Sequence, residues 1–93
     1  MVYEEAMDAE LAIWKGNYDE AIELIHANRR KDWDKMQSIL SKAHRLKGEL
    51  NESKMIIEKM CDDGDYCSIK AQYEAGLVYY ELGEYDKARE YLN

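Results

Sequence analysis

The chain has no proline, which removes the strongest breaker of helices. Glycine is scarce, with five residues: Gly16, Gly48, Gly64, Gly76 and Gly83. Strand signals are missing too, since no alternating Val/Ile/Thr run occurs and no Asn-Gly or Asp-Gly pair joins two apolar strands. No apolar run approaches the roughly 20 residues that span a bilayer. The N-terminal sequence MVYEEAMDAE is acidic where a secretory signal carries basic residues and then an apolar stretch. Two cysteines, Cys61 and Cys67, are too few for a disulfide scaffold. Positive charge is also short, with 13 Lys and Arg against 20 Asp and Glu and a net charge of −7. That balance disfavours nucleic acid and anionic membrane as partners. The expectation is a cytoplasmic protein.

What is present is the 3.6-residue period of helices. At 93 residues the chain is expected to be one domain, 1–93, with a thin or spread-out core. Its 46 % hydrophobic content argues against long disorder. Three strings repeat: Gly16-Asn-Tyr-Asp-Glu-Ala21, Gly48-Glu-Leu-Asn-Glu-Ser53 and Gly83-Glu-Tyr-Asp-Lys-Ala88. Their glycines stand 32 and 35 residues apart. Weaker copies at Lys31–Met36 and Gly64–Ile69 lie between them. This punctuation predicts six helices, at 2–15, 17–30, 33–47, 49–62, 66–82 and 84–92. Glycine can close a helix at positive φ. The polar residue after it suits the unpaired N–H groups of the next helix start. Links this short make consecutive helices antiparallel neighbours.

These residues resemble the tetratricopeptide repeat, a helix–turn–helix unit of about 34 residues. The nearest copy runs from Tyr73 to Leu92, with small Gly76 and Ala88, aromatic Tyr79 and Tyr85, turn Gly83 and apolar Leu92. The first copy offers Ala9, Gly16, Tyr18, Ala21 and Ile25, and the middle one Leu40, Ser41, Gly48, Leu50, Ser53 and Ile57. The chain departs from the family in having Glu5, Gln37 and Gln72 where a tryptophan is usual, and in lacking the proline between repeats. The resemblance implies an all-α fold, a right-handed α-solenoid of three antiparallel helix–turn–helix hairpins at about 1–30, 33–62 and 66–93. It also implies that Tyr18, Leu50 and Tyr85 are buried as wedges between hairpins.

In this family the first helix of each repeat lines a groove that binds peptides. Residues three, six, ten and thirteen before each turn glycine then point inward: Ile13, Glu10, Ala6 and Tyr3; Arg45, Lys42, Ser38 and Lys35; Tyr80, Leu77, Tyr73 and Lys70. Residues 29–47 hold seven Lys or Arg against Asp32 and Asp34, a local +5 that opposes the whole-chain charge. A basic middle beside a tyrosine-rich end suits a peptide with acidic and apolar side chains. The pattern that grips the C-terminal carboxylate of heat-shock chaperones is not matched, because Glu10, Ala6, Lys42, Leu77 and Tyr73 occupy the clamp positions.

No phosphate loop, HExxH or Gly-x-Ser-x-Gly motif is present, so the expectation is not an enzyme. His44 stands where Tyr79 stands in the last repeat and reads as a half-buried structural residue. The Cys61–Cys67 linker fits no common zinc spacing and no EF-hand order, so it reads as a solvated turn with no metal. Met7, Met36, Met55 and Met60 read as core filler. No cofactor is implied. The functional expectation is a non-catalytic protein–protein interaction module. The alternative is a self-assembling element that uses its uncapped C-terminal end, a homo-oligomer.

Overall fold

Three chain reversals close on one pattern of hydrogen bonds. At each, a glycine takes positive φ: 81° at Gly16, 96° at Gly48 and 84° at Gly83. A side chain in that region costs roughly 1–2 kcal/mol. The glycine N–H donates to the carbonyl three residues back, and the next N–H to the carbonyl five back. The acceptors are Ile13 and Ala12 (2.9 and 2.8 Å), Arg45 and His44 (3.1 and 2.8 Å), and Tyr80 and Tyr79 (3.0 and 2.9 Å). Carbonyls left over at the helix end are thereby satisfied. The following helix starts at once. Ala21, Ser53 and Ala88 donate their N–H groups to the carbonyls of Asn17, Glu49 and Glu84, at 3.1, 3.1 and 3.0 Å.

The computed structural model describes residues 2–61 and 69–92, with side chains from residue 6 onward. Among these the helices are α1 (Val2–Trp14), α2 (Tyr18–His26), α3 (Asp34–Lys47), α4 (Leu50–Cys61), α5 (Ile69–Glu81) and α6 (Tyr85–Leu92). The described residues form no strand, and no helix among them is long and apolar enough to cross a membrane. Expected boundaries shift by a residue at most ends. The exception is α2, which stops at His26 and not at Arg30. There the Asn28 carboxamide oxygen accepts the Arg30 N–H at 2.8 Å, giving the backbone a turn in place of a further helical step. The expected start of α5 at 66–68 falls outside the described residues.

Helices pack in chain order. The pairs α1–α2, α3–α4 and α5–α6 form hairpins, α3 lies on α1 and α2, and α5 lies on α3 and α4. Among the described residues no helix of the first hairpin touches one of the third, and the molecule extends 36 × 26 × 18 Å. Apolar burial is split accordingly. One cluster joins Ala9 and Ile13 of α1 and Ile25 of α2 to Met36, Ile39 and Ala43 of α3. A second joins Ile57 of α4 to Ala75, Val78 and Tyr79 of α5 and Ala88 of α6.

Small residues let the paired helices approach. A Cβ at Gly76 would overlap the Leu92 side chain, so the last turn of α6 leans on bare backbone of α5. In the middle hairpin the close contact is polar. The Ser53 hydroxyl donates to the Ser41 carbonyl at 2.8 Å and lies 2.6 Å from the Ser41 hydroxyl, which donates to it. Both serines are fully buried.

Two expectations about packing need correction. Tyr18 and Leu50 are half-buried, but Tyr85 is 55 % exposed, because no described hairpin follows it. Met36 is in the first cluster and Met60 packs against the second, whereas Met7 and Met55 are exposed. His44 is half-buried, as its position suggested, with Nδ1 2.8 Å from Glu49.

A polar chain joins the first two hairpins on the far side of α3. Lys47 contacts Asp19 at the start of α2 and reaches Glu49 at 3.6 Å. The hydrogen bond to Asp19 is the main cause that raises the Lys47 pKa. The hydrogen bond from His44, then the nearby Lys47 charge, lowers the Glu49 pKa below its ordinary 4.5.

Two outcomes follow from these contacts. Ser53→Ala removes the bond to the Ser41 carbonyl and leaves the Ser41 hydroxyl only its longer 3.4 Å contact with the Ser53 carbonyl, so it should cost about 1–2 kcal/mol, whereas Ser41→Ala leaves the Ser53 bond intact and should cost about 1 kcal/mol or less. Urea titration of both variants reads the difference. The Glu49 contribution is present above its ordinary value and is lost as pH falls through its lowered folded value. Glu49→Gln should therefore lower thermal stability near neutral pH, and the deficit should close as pH falls through the lowered folded value, which flattens the acid limb of the variant.

Candidate functional site

The side formed by α1, α3 and α5 carries the charged stripes. On α3 the spacings of three and four put Lys35, Ser38, Ile39 and Lys42 on one helix face. On α5 the same spacing aligns Ile69, Lys70, Tyr73 and Glu74. These residues and Glu10 of α1 line an open cleft of about 360 Å³. The structure thus brings together Glu10, Lys35, Ser38, Lys42, Lys70 and Tyr73.

Other groove candidates sit elsewhere. Ile13 is 5 % exposed and Ala6 1 %, so both belong to the core. Leu77 is half-buried and Tyr80 is exposed, and neither lines the cleft. The Tyr80 ring meets Tyr85 edge-on at 5.3 Å. Tyr3 lies outside the described side chains.

Arg45 is taken up by structure. Its Nε donates to Glu74 Oε2 at 3.1 Å and its Nη1 to Glu81 Oε1 at 3.4 Å. The side chains of Arg45 and Glu74 are each 10 % exposed. Lys42 donates to Glu10 Oε2 at 3.3 Å across the cleft, and both side chains keep about a third of their exposure. The basic excess of α3 is therefore largely answered by carboxylates on α1, α2 and α5.

Lys70 has no ion pair among the described residues. Tyr73 is 57 % exposed and Ile69 80 %. At the cleft wall Ser38 is buried, and its hydroxyl has no hydrogen-bond partner among the described residues. The cleft offers ammonium groups, a phenol and apolar surface, which suits ion pairing and contact with a side chain of mixed character.

Three cleft residues were missed by the inward register: Ile39, Ile69 and Glu74. Glu74 was findable, because it lies four residues after Lys70 on the same stripe and the local +5 around α3 required facing carboxylates. Among the described residues no three His, Cys, Asp or Glu side chains gather as a metal site. Cys61 is half-buried at the end of α4, and the rest of the Cys61–Cys67 linker lies outside the described residues. No family model, curated protein or solved structure matches this chain.

The Arg45–Glu74 pair gives a sharp stability test. Arg45→Ala strands a buried carboxylate and should cost about 3–5 kcal/mol. Replacing both partners with Arg45→Met and Glu74→Leu should recover most of that loss, because no buried charge is then left unpaired. Chemical denaturation of the single and double variants measures it.

Proposed function

We propose that the chain is a non-catalytic interaction module of the tetratricopeptide type. In this reading it is a right-handed solenoid of three hairpins whose α1–α3–α5 side takes a peptide or partner segment. Support for the repeat comes from the three identical helix closures at spacings of 32 and 35 residues and from packing in chain order. The two cysteines fit a reducing cytoplasm, and a cytoplasmic setting belongs to the proposal.

One observation carries the binding reading. Lys35, Lys42 and Lys70 converge with Tyr73, Ile39 and Ile69 on one open cleft of a chain whose net charge is −7. A ligand that places an Asp or Glu beside an apolar side chain meets both features. Its carboxylate competes with Glu10 for Lys42 and reaches toward Lys70, while its apolar neighbour lies on Tyr73. Exposed charge pairs add only about 0.2–1 kcal/mol each, so Tyr73 supplies the larger share of affinity.

Fluorescence anisotropy with short labelled peptides tests this at low protein concentration. Peptides pairing Glu with Leu or Phe should bind more tightly than the same peptides with Lys for Glu. Lys42→Glu should weaken binding and reduce its salt dependence. Tyr73→Ala should weaken it roughly tenfold at every salt concentration. Glu10→Gln should strengthen it, since Lys42 is released, and Tyr80→Ala should leave it unchanged. Equal binding of acidic and basic peptides, or indifference to Lys42 and Tyr73, would exclude the cleft as the binding site.

A further inference from the structure

Counting from each turn glycine sets equivalent residues of the three hairpins side by side. Nine before the glycine stand Met7, Ile39 and Glu74, and five before stand Leu11, Ala43 and Val78. In α3 and α5 these positions are buried, since they seat on the hairpin before. Ile39 and Ala43 share a core with Ile25 of α2, and Val78 shares one with Ile57 of α4. In α1 the same positions are open, with Met7 62 % and Leu11 49 % exposed. Trp14, two before the glycine, is 82 % exposed, and its counterparts Leu46 and Glu81 are exposed as well, which puts it at the rim of this face. The three fall at i, i+4 and i+7, a single apolar stripe on one helix face.

The other end of the stack mirrors this. Nine after the glycine, Ile25 and Ile57 are fully buried, yet Leu92 is 45 % exposed. Three before it, Ile13 is in the core and Arg45 is paired across to α5, yet Tyr80 is 59 % exposed. Leu92, Tyr80 and Tyr85 thus present the half of an interface whose other half is Met7, Leu11 and Trp14.

One of the two internal interfaces also carries a charge pair: Lys47, one before its glycine, pairs with Asp19, three after the preceding glycine, where the other interface has Leu82 and Asn51. The corresponding residues at the two ends are Lys15 and Asp86. Lys15 has no ion pair among the described residues, and Asp86 holds only a surface contact with Arg89 at 3.5 Å.

We propose that the chain assembles head to tail, with the α5–α6 end of one copy seated on α1 of the next in the register of its internal hairpin interfaces. Leu92, Tyr80 and Tyr85 then meet Met7, Leu11 and Trp14, and Asp86 meets Lys15. Such a contact joins two different surfaces, so it extends into a string of copies unless rotation closes a ring. It prolongs the α1–α3–α5 side from copy to copy and stands whether or not that side binds peptides.

Sedimentation velocity from low micromolar to near-millimolar protein tests the proposal. The mass of the unaltered chain should grow past two copies with concentration. Leu11→Glu and Tyr80→Glu should each stay monomeric, with helical circular dichroism retained. Met7→Glu serves in place of Leu11→Glu if that variant loses its fold. Mixed one to one, the two variants should form a dimer and stop there, because each keeps one intact end. Lys15→Glu should weaken the step roughly tenfold, and adding Asp86→Lys in the same chain should restore it. A chain that remains monomeric throughout would overturn the proposal. So would a dimer abolished by Leu11→Glu but indifferent to Tyr80→Glu, since that is a symmetric pairing of α1 faces. A mixture that stays monomeric would overturn it as well.

Discussion

Each hairpin of this protein turns on a single residue that must take positive φ. Closing the helix at Gly16, Gly48 or Gly83 consumes two carbonyls and releases the chain in the reverse direction with almost no loop. A reversal that tight brings the paired helices close. Alanine, serine and Gly76 fill much of the contact for that reason, and where α5 meets α6 Leu92 seats on Gly76 while Tyr79 stacks on Tyr91. The core is thin as a consequence, and it runs along the stack as two clusters.

With little apolar volume to spend, the seams take up charge. The basic residues of α3 reach in three directions: Lys42 to α1, Lys47 to α2 and Arg45 to α5. Only the last of these pairs is shielded from water on both sides, so it carries more energetic weight than the surface contacts. The same carboxylates explain how a strongly acidic chain can hold a basic central helix without self-repulsion. They also narrow what the cleft leaves open, which is its edge near Lys70 and the partly exposed Lys42–Glu10 contact.

Helices, turn glycines and small contact residues could be read from the sequence because each depends on a local rule. The end of α2 could not, since an Asn28 side chain and not a glycine stops it. The exposure of Tyr85 was hidden for another reason. Its type and spacing match Tyr18, and only the presence of a following hairpin separates a buried wedge from a surface ring. Arg45 shows the third kind of limit. Its register aims it at the groove, but its fate depends on Glu74, 29 residues away in the chain. Lys42, Lys70 and Tyr73 fall in the cleft at positions that the repeat register alone assigns, whereas Ile39 and Ile69 lie one step outside it.

The uneven distribution of contact types makes the response to salt uneven too. Within a hairpin the helices are held by buried small residues and backbone closures, which respond little to dissolved ions. Between α1, α3 and α5 the links include Lys42–Glu10 and Arg45–Glu81, whose carboxylates are partly open to water and are therefore screened by salt. Added salt therefore weakens these partly open links first, while the glycine closures and the buried Ser41–Ser53 contact within hairpins keep their strength.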